Sequence, residues 1–272
     1  VIYLNRIFRI GACLCLWLAM LIPAPAQLFP AVSSATNGNP AVEVIALKDW
    51  PDGDALLQAV RSQLPSEPLR IEGDIIVRRR RGVVEHQFRF EMQLAWGHDP
   101  STATYTLRDG FGGDLEQLMI SRAVQSDSVS YAYAAGYPLR PAPVPDLFAP
   151  LQQGDLSWSD LSLSFLWWTG GEVTGVEEVL GYSCYVMEVP APANLPVSAG
   201  VAYARVRLWI DRKMCMMLQA EGLDKNGAPV RKLWIKSLKK INDRWMIKDL
   251  EVEQAGSSHR TKVVIQEVSG NP

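Results

Sequence analysis

The sequence is poor in groups that do chemistry. Its 272 residues include only three histidines and four cysteines. His86, His98 and His259 are too far apart for metal-ligand spacing, so no metal is expected. There is no G-x-S-x-G elbow and no phosphate-binding loop ending in Gly-Lys-Ser/Thr. The stretch GFGGD (Gly110 to Asp114) is rich in glycine but lacks the lysine and the following helix, and reads as a loop. Hydrolysis needs a nucleophile with a base, or a metal cluster. None is visible, so the expectation is a non-enzyme without a cofactor. An excess of one charge is missing too, with 27 basic against 29 acidic residues. That balance excludes nucleic acid as the main partner.

Long apolar runs are also scarce. The one near the start, Ile10 to Ile22 (IGACLCLWLAMLI), has 13 residues, too few to span a bilayer. Arg6 and Arg9 precede it, and Ala24-Pro25-Ala26 follows with a small-x-small pattern. This is the layout of a secretory signal, with cleavage expected after Ala26. Cys13 in IGAC and Cys15 read as residues of that signal's apolar segment. Residues 27–50 are rich in Ala, Pro, Ser, Asn and Gly and read as a flexible leader. The remainder, 51–272, is expected to form one exported domain.

Helices are few. PDGDALLQAVRSQLP (Pro51 to Pro65) has Leu56, Leu57, Val60 and Leu64 at helical spacing, Asp52 or Asp54 as a cap and Pro65 as a stop. A central segment, Tyr137 to Gly171, opens with prolines. It then suggests two short helices, Pro145 to Gln153 and Ser159 to Trp168, the second capped by Ser157 or Ser159 and carrying SFLWW. We expect this segment to cover a sheet rather than join it.

Strands fill the rest. From Leu69 the apolar period is two. Val84, Phe88, Phe90, Met92 and Leu94 alternate with Glu85, Gln87, Arg89, Glu91 and Gln93, the pattern of a half-buried antiparallel strand. A hairpin around Asp109-Gly110 and a strand in SVSYAYAAG (Ser128 to Gly136) follow. The second half runs through YSCYVMEVP, YARVRLWID, MCMMLQAEGLD, PVRKLWIKSLKKI, RWMIKDLEVEQ and RTKVVIQEV. Its turns are short, and Asn226-Gly227 is a strong hairpin signal. Such turns force sequential antiparallel neighbours, a meander. The strands of Cys184 and Cys215 then flank a common neighbour, about 9–10 Å apart. A disulfide needs α-carbons within about 7 Å, so two unpaired thiols are expected.

About ten strands with so little helix must bury their apolar face on themselves or curl around something. Two solutions suit the pattern: a closed sandwich or barrel, or a bent sheet with the helices lodged in its concavity above an apolar cleft. Met214, Met216, Met217 and Met246 are either an adaptable lining for such a cleft or plain core filling. Arg78 to Arg81, at a hairpin tip, reads as a solvated turn or as a contact for phosphate head groups. Lys236 to Lys240 (KSLKK) is open to the same two readings.

The pieces GDLSWSDL, GYSCYVMEV, YARVRLWIDRK, LQAEGLDKNGAPVRKL, RWMIKDLEV and SSHRTKVVIQEV, in this order after a signal, one helix and a meander, resemble the outer-membrane lipoprotein-sorting protein family. That family is LolA-like and related to the periplasmic lipoprotein carriers. The resemblance implies a mainly β (α+β) fold: a strongly curved, half-open antiparallel β-barrel with an N-terminal helix and a short helical lid. It also implies an apolar cavity for acyl chains of lipoproteins or another lipid. The candidate lining and lid residues are Phe88, Phe90, Met92, Phe165, Trp167, Trp168, Leu208, Ile210, Leu233, Ile235, Leu250 and Val252. His259 and Arg260 match the closing HRT motif. They sit either at the cavity rim, facing a carboxylate or head group, or in ordinary cross-strand contacts. Two functions of different class follow: a lipid or lipoprotein carrier, or a periplasmic sensor or scaffold that binds a protein partner.

Overall fold

The computed structural model describes residues 50–79, 82–123, 128–196, 203–241 and 244–270. The expected signal, the leader up to residue 49, Arg80 and Arg81, and the Asn242-Asp243 turn lie outside the described residues.

The first element is the expected helix. α1 (Gly53–Ser62) starts where the Asp52 carboxylate accepts from the Ala55 amide at 2.8 Å. It turns Leu56, Leu57 and Val60 into the core. Six strands follow: β1 (Leu69–Arg79), β2 (Val84–Ala95), β3 (Ser101–Arg108), β4 (Asp114–Arg122), β5 (Val129–Ala135) and β6 (Arg140–Ala142). Seven more come after the central segment: β7 (Glu172–Val179), β8 (Tyr182–Pro190), β9 (Arg205–Asp211), β10 (Met217–Leu223), β11 (Pro229–Ile241), β12 (Arg244–Gln254) and β13 (His259–Gly270).

All thirteen form one antiparallel sheet in the order β6-β5-β4-β3-β2-β1-β13-β12-β11-β10-β9-β8-β7. Each half is a meander, and the halves join where β1 pairs with β13, from Leu69 opposite Gly270 to Arg79 opposite His259. β6 and β7 are free edges, so the sheet is not closed. Of the two architectures the alternation allows, the half-open one is found. Neither edge strand was expected. β6 is three residues long and contains Pro141, and β7 carries Glu172, Glu177 and Glu178. Short, proline-bearing and charged strands are what sheet edges tolerate.

The sheet curls around the central segment. Trp158 packs edge-on against Tyr133 of β5, while Asp160, two residues on, pairs with Arg231 of β11 at 2.9 Å. In a flat sheet those strands would be seven spacings apart, roughly 33 Å. One short segment reaches both only because the sheet bends. The concave face and the segment share a single apolar core. The convex face carries cross-strand ion pairs instead, such as Glu91 between Arg70 and Arg108, both at 2.8 Å.

The central segment is less helical than expected. Pro145 to Gln153 forms no α-helix. Pro150 interrupts it, only a 3₁₀ turn (Leu151–Gln153) remains, and Gln152 and Gln153 take positive φ. The second piece is cut in two. α2 (Trp158–Leu161) starts at the expected Ser157, which shares a capping box with Asp160. Leu163, at φ 47°, then ends the helix, and a 3₁₀ turn covers Ser164–Trp167. β10 also starts later than expected. Met214 to Met216 make the turn, with Cys215 at φ 48°.

Cys184 and Cys215 are unpaired. They lie on opposite faces. Cys184 belongs to a small convex cluster with Val186, Trp209 and Leu218, while Cys215 faces the concavity. Among the described residues no helix is long and apolar enough to cross a membrane.

Candidate functional site

Antiparallel pairing decides which strand ends meet. The end of β2, the start of β3, the β9–β10 turn and the start of β12 all come to one end of the sheet. The concavity is open there. A cavity of about 190 Å³ lies between the concave wall, α1 and the end of the central segment. The wall supplies Ile71, Met92, Leu94, Tyr105, Leu250, Val263 and Ile265. Val60 and Leu64 close it from the helix side, and Leu161, Leu163, Leu166 and Trp167 from the segment. At the mouth stand Trp96, Met216, Trp245 and Met246. Trp245 is 50% exposed.

Among the described residues no charged side chain lines this cavity. Its polar groups are few: Gln63, Ser162, the Cys215 thiol, the Tyr105 hydroxyl and the indole N–H groups of Trp96, Trp167 and Trp245. Burial pushes the Tyr105 pKa up to about 12 and raises that of Cys215, with Asp211 adding to the latter. Both groups are therefore neutral at pH 7. The lining is thus apolar, with a few neutral polar groups among it. Among the described residues no group of three or more His, Cys, Asp or Glu is placed to hold a metal.

The roof is anchored at one end. Arg231 donates through Nη1 to Asp160 (2.9 Å) and to the Tyr203 hydroxyl (3.2 Å), and through Nη2 to the Phe148 carbonyl (3.1 Å) and Gln254 (3.0 Å). Tyr203 donates to Asp160 at 3.0 Å. Arg231 and Asp160 are almost fully buried. Asp155 adds a second clasp, its amide donating to Thr261 at 2.8 Å. Past Leu163 the polar ties are lighter: Arg61 donates to the Leu166 carbonyl at 2.7 Å, and Asp54 accepts from the Gly170 amide at 2.9 Å.

The structure distributes the candidate residues unevenly. Met92, Trp167 and Leu250 line the cavity, as do Met216, Met217 and Met246. Phe90, Leu208, Ile210, Leu233, Ile235 and Val252 are buried outside the lining, and Phe88 packs at its strand's half-buried end. Phe165 and Trp168 stack edge-to-face within the segment, Trp168 also against Phe148. His259 and Arg260 start β13, four and three residues before Val263, the first lining residue on that strand. That is about 10–13 Å along the strand. His259 meets Glu85 at 2.6 Å, and Arg260 meets Glu253 at 2.8 Å beside a polar depression that includes Arg78 and Arg79.

Sequence reasoning reached the mouth only through Met216 and Met246 and missed the rest. Trp96, Cys215 and Trp245 sit at strand ends, where polar turn residues are the norm. Large apolar residues at several turns that the meander brings together were the available signal.

Comparison with solved structures places the fold. A DUF1329 family protein from Desulfovibrio piger superposes with a TM-score of 0.65 at 19% identity, covering 80% of this chain and 92% of that one. A domain assigned to outer-membrane lipoprotein sorting from Vibrio parahaemolyticus gives 0.63 at 12% identity, with 80% and 92% covered. A LolA superfamily protein from Nitrosomonas europaea gives 0.60 at 13%, with 81% and 94% covered. No curated protein is a significant match. A family model described as "uncharacterized protein" matches residues 124–272, more than half of the sequence. The chain therefore belongs to that family, and its fold is LolA-like.

Proposed function

We propose that this chain is an exported carrier that holds an acyl chain, of a lipoprotein or another lipid, in the cavity beneath Trp167. One observation supports this above the rest: a preformed cavity, open at the strand ends, with no charged side chain among the described residues that line it. Each methylene moved there from water contributes about 0.8 kcal/mol. Its volume, about 190 Å³, is below the 300–1,000 Å³ typical of small-molecule pockets. It suits part of one linear chain. Methionines 216, 217 and 246 give the wall room to adjust.

In this reading the lid is the stretch from Leu163 to Trp167. The segment before it is fixed by the Arg231–Asp160 pair, while the stretch itself has the lighter polar ties. The names of the Vibrio and Nitrosomonas structures, lipoprotein sorting and LolA superfamily, agree with a role in lipoprotein transfer in the cell envelope.

The test is a lipid extract of the protein purified from its native host, read by mass spectrometry, beside uptake of a fluorescent fatty acid. Co-purifying lipid and saturable uptake are expected. Trp167→Glu should abolish uptake, because it sets a charge in the cavity wall. A protein that carries no lipid and takes up no probe would rule the carrier out.

A further inference from the structure

The concave side of β4 runs Leu118, Ile120, Arg122. Leu118 and Ile120 are buried in the core. The third position puts a guanidinium where the alternation calls for another apolar group. Arg122 is half-buried, and burial lowers its pKa from the ordinary arginine value. A cation withdrawn from water is normally matched by a carboxylate. Among the described residues none is paired with Arg122, and its Nε, shut off from solvent, has no hydrogen-bond partner. The charges and dipoles that act on it are the Tyr105 and Tyr131 phenols and the Arg61 guanidinium, which opposes it. Arg61 has Asp54 nearby and donates to the Leu166 carbonyl.

The location matters as much as the lack of a carboxylate among the described residues. The Arg122 guanidinium carbon lies 4.3 Å from the Trp167 ring centroid, and Trp167 and Tyr105 both line the cavity. Ser101, at the start of β3, pairs with Arg122 at the open end of the sheet. A cation thus stands beside an apolar chamber, stacked on one of its wall residues and near two phenols, with its Nε unsatisfied among the described residues.

We propose that Arg122, assisted by Tyr131, binds the anionic head group of an amphiphile whose hydrocarbon tail occupies the cavity. This rests on the acyl-binding reading and narrows it to single-chain lipids ending in a carboxylate or a phosphate. Either oxyanion accepts two parallel N–H bonds from the guanidinium fork, and a phenol fills a remaining lone pair. Neutral alcohols and esters of the same chain length lack this contact.

The experiment measures binding of palmitate, hexadecyl phosphate and hexadecanol to the full chain at pH 7.5 by displacement of a fluorescent probe. Wild type is expected to prefer at least one anion over the alcohol by tenfold or more. The tighter of the two identifies a fatty-acid or a phosphate source. Arg122→Leu, and Arg122→Gln as a variant of lower packing risk, should lose that preference while keeping hexadecanol affinity within about twofold. Arg122→Lys should keep part of it, since it retains the charge but not the fork. Thermal melting supplies a second readout. An arginine kept for a ligand is dispensable to the fold, so Arg122→Leu should melt at or above the wild-type temperature. Equal binding of anion and alcohol by wild type, or an anion preference that survives in both Arg122→Leu and Arg122→Gln, overturns the proposal and leaves the carrier reading standing. Failure of all three ligands to bind overturns both.

Discussion

The Asp160–Arg231 pair shows what a single residue does here. Both side chains are buried, and each is also held by Tyr203. Removing one partner strands the other charge out of water, which costs about 3–5 kcal/mol. Asp160→Ala should therefore lower the urea midpoint strongly, and Arg231→Met should do the same. The double variant should recover much of the loss, because two apolar side chains leave no orphan. The sequence offered Ser157 as a possible cap but did not single out Asp160, although the two form the S-x-x-D capping signature. Arg231 is 71 positions away, and nothing local marks it as the partner.

The tyrosines give a pH prediction with a definite sign. Tyr105 is raised to about 12 by burial, and Tyr203 is raised well above its ordinary value by burial and then by Asp160. A phenol held neutral in the fold contributes stability that is complete below its unfolded pKa of about 10. That contribution is lost as pH rises toward the folded value. Chemical denaturation should show stability falling from pH 10 upward, by roughly 2 kcal/mol from Tyr105 alone by pH 12. Tyr105→Phe should flatten the decline. A profile level from pH 9 to 12 would contradict this assignment.

Elements divide by how local their cause is. Strands with alternating faces, such as β2 and β9, were legible because the period of two is written in the residues themselves. The central segment was not. Its helical spacing is real, but Pro150 breaks the first helix, and the second stops at Leu163 where side chains turn into the concavity. Tertiary packing overrode propensity there. The join between the halves depends on a close approach. A β-carbon on Gly73 would lie 2.1 Å from the Val264 carbonyl oxygen and 2.8 Å from the Phe90 ring, at the bulge between β1 and β13. Gly73→Ala must push the two strands apart. We expect it to lower the melting temperature by several degrees, far more than the same change at Gly175, where a β-carbon meets nothing. Equal melting of the two variants would show that the bulge is not where the halves are pinned.

At the scale of the whole molecule, the cavity depends on the sheet staying half open. Its wall draws on strands from both meanders, and its roof is chain inserted between them. The scarcity of helix against so many half-buried strands left a closed barrel and a bent sheet both open, the family resemblance pointed to the half-open form, and the position of the cavity was not legible. Candidates chosen by apolar alternation fell mostly in the packed middle of the strands, because alternation marks a face and says nothing about distance along it. The mouth needs the register, which only the assembled sheet supplies. Cys215 lets that geometry be read in solution. Its thiol faces the cavity while Cys184 is buried on the convex side, so the two report on opposite faces. Both thiols are raised above the ordinary value by burial and then by Asp211, Cys184 to about 11. Maleimide labelling should be slow at pH 7 and accelerate with pH, since the thiolate is the reacting form. Cys215 should react first. Saturating palmitate should slow Cys215 labelling at least tenfold at pH 8.5, by filling the space that the reagent must enter. At a hundred times its Kd, the same ligand should stabilise the fold by about 2.7 kcal/mol. Labelling indifferent to palmitate, alongside a clear thermal shift, would put the acyl chain somewhere other than this cavity.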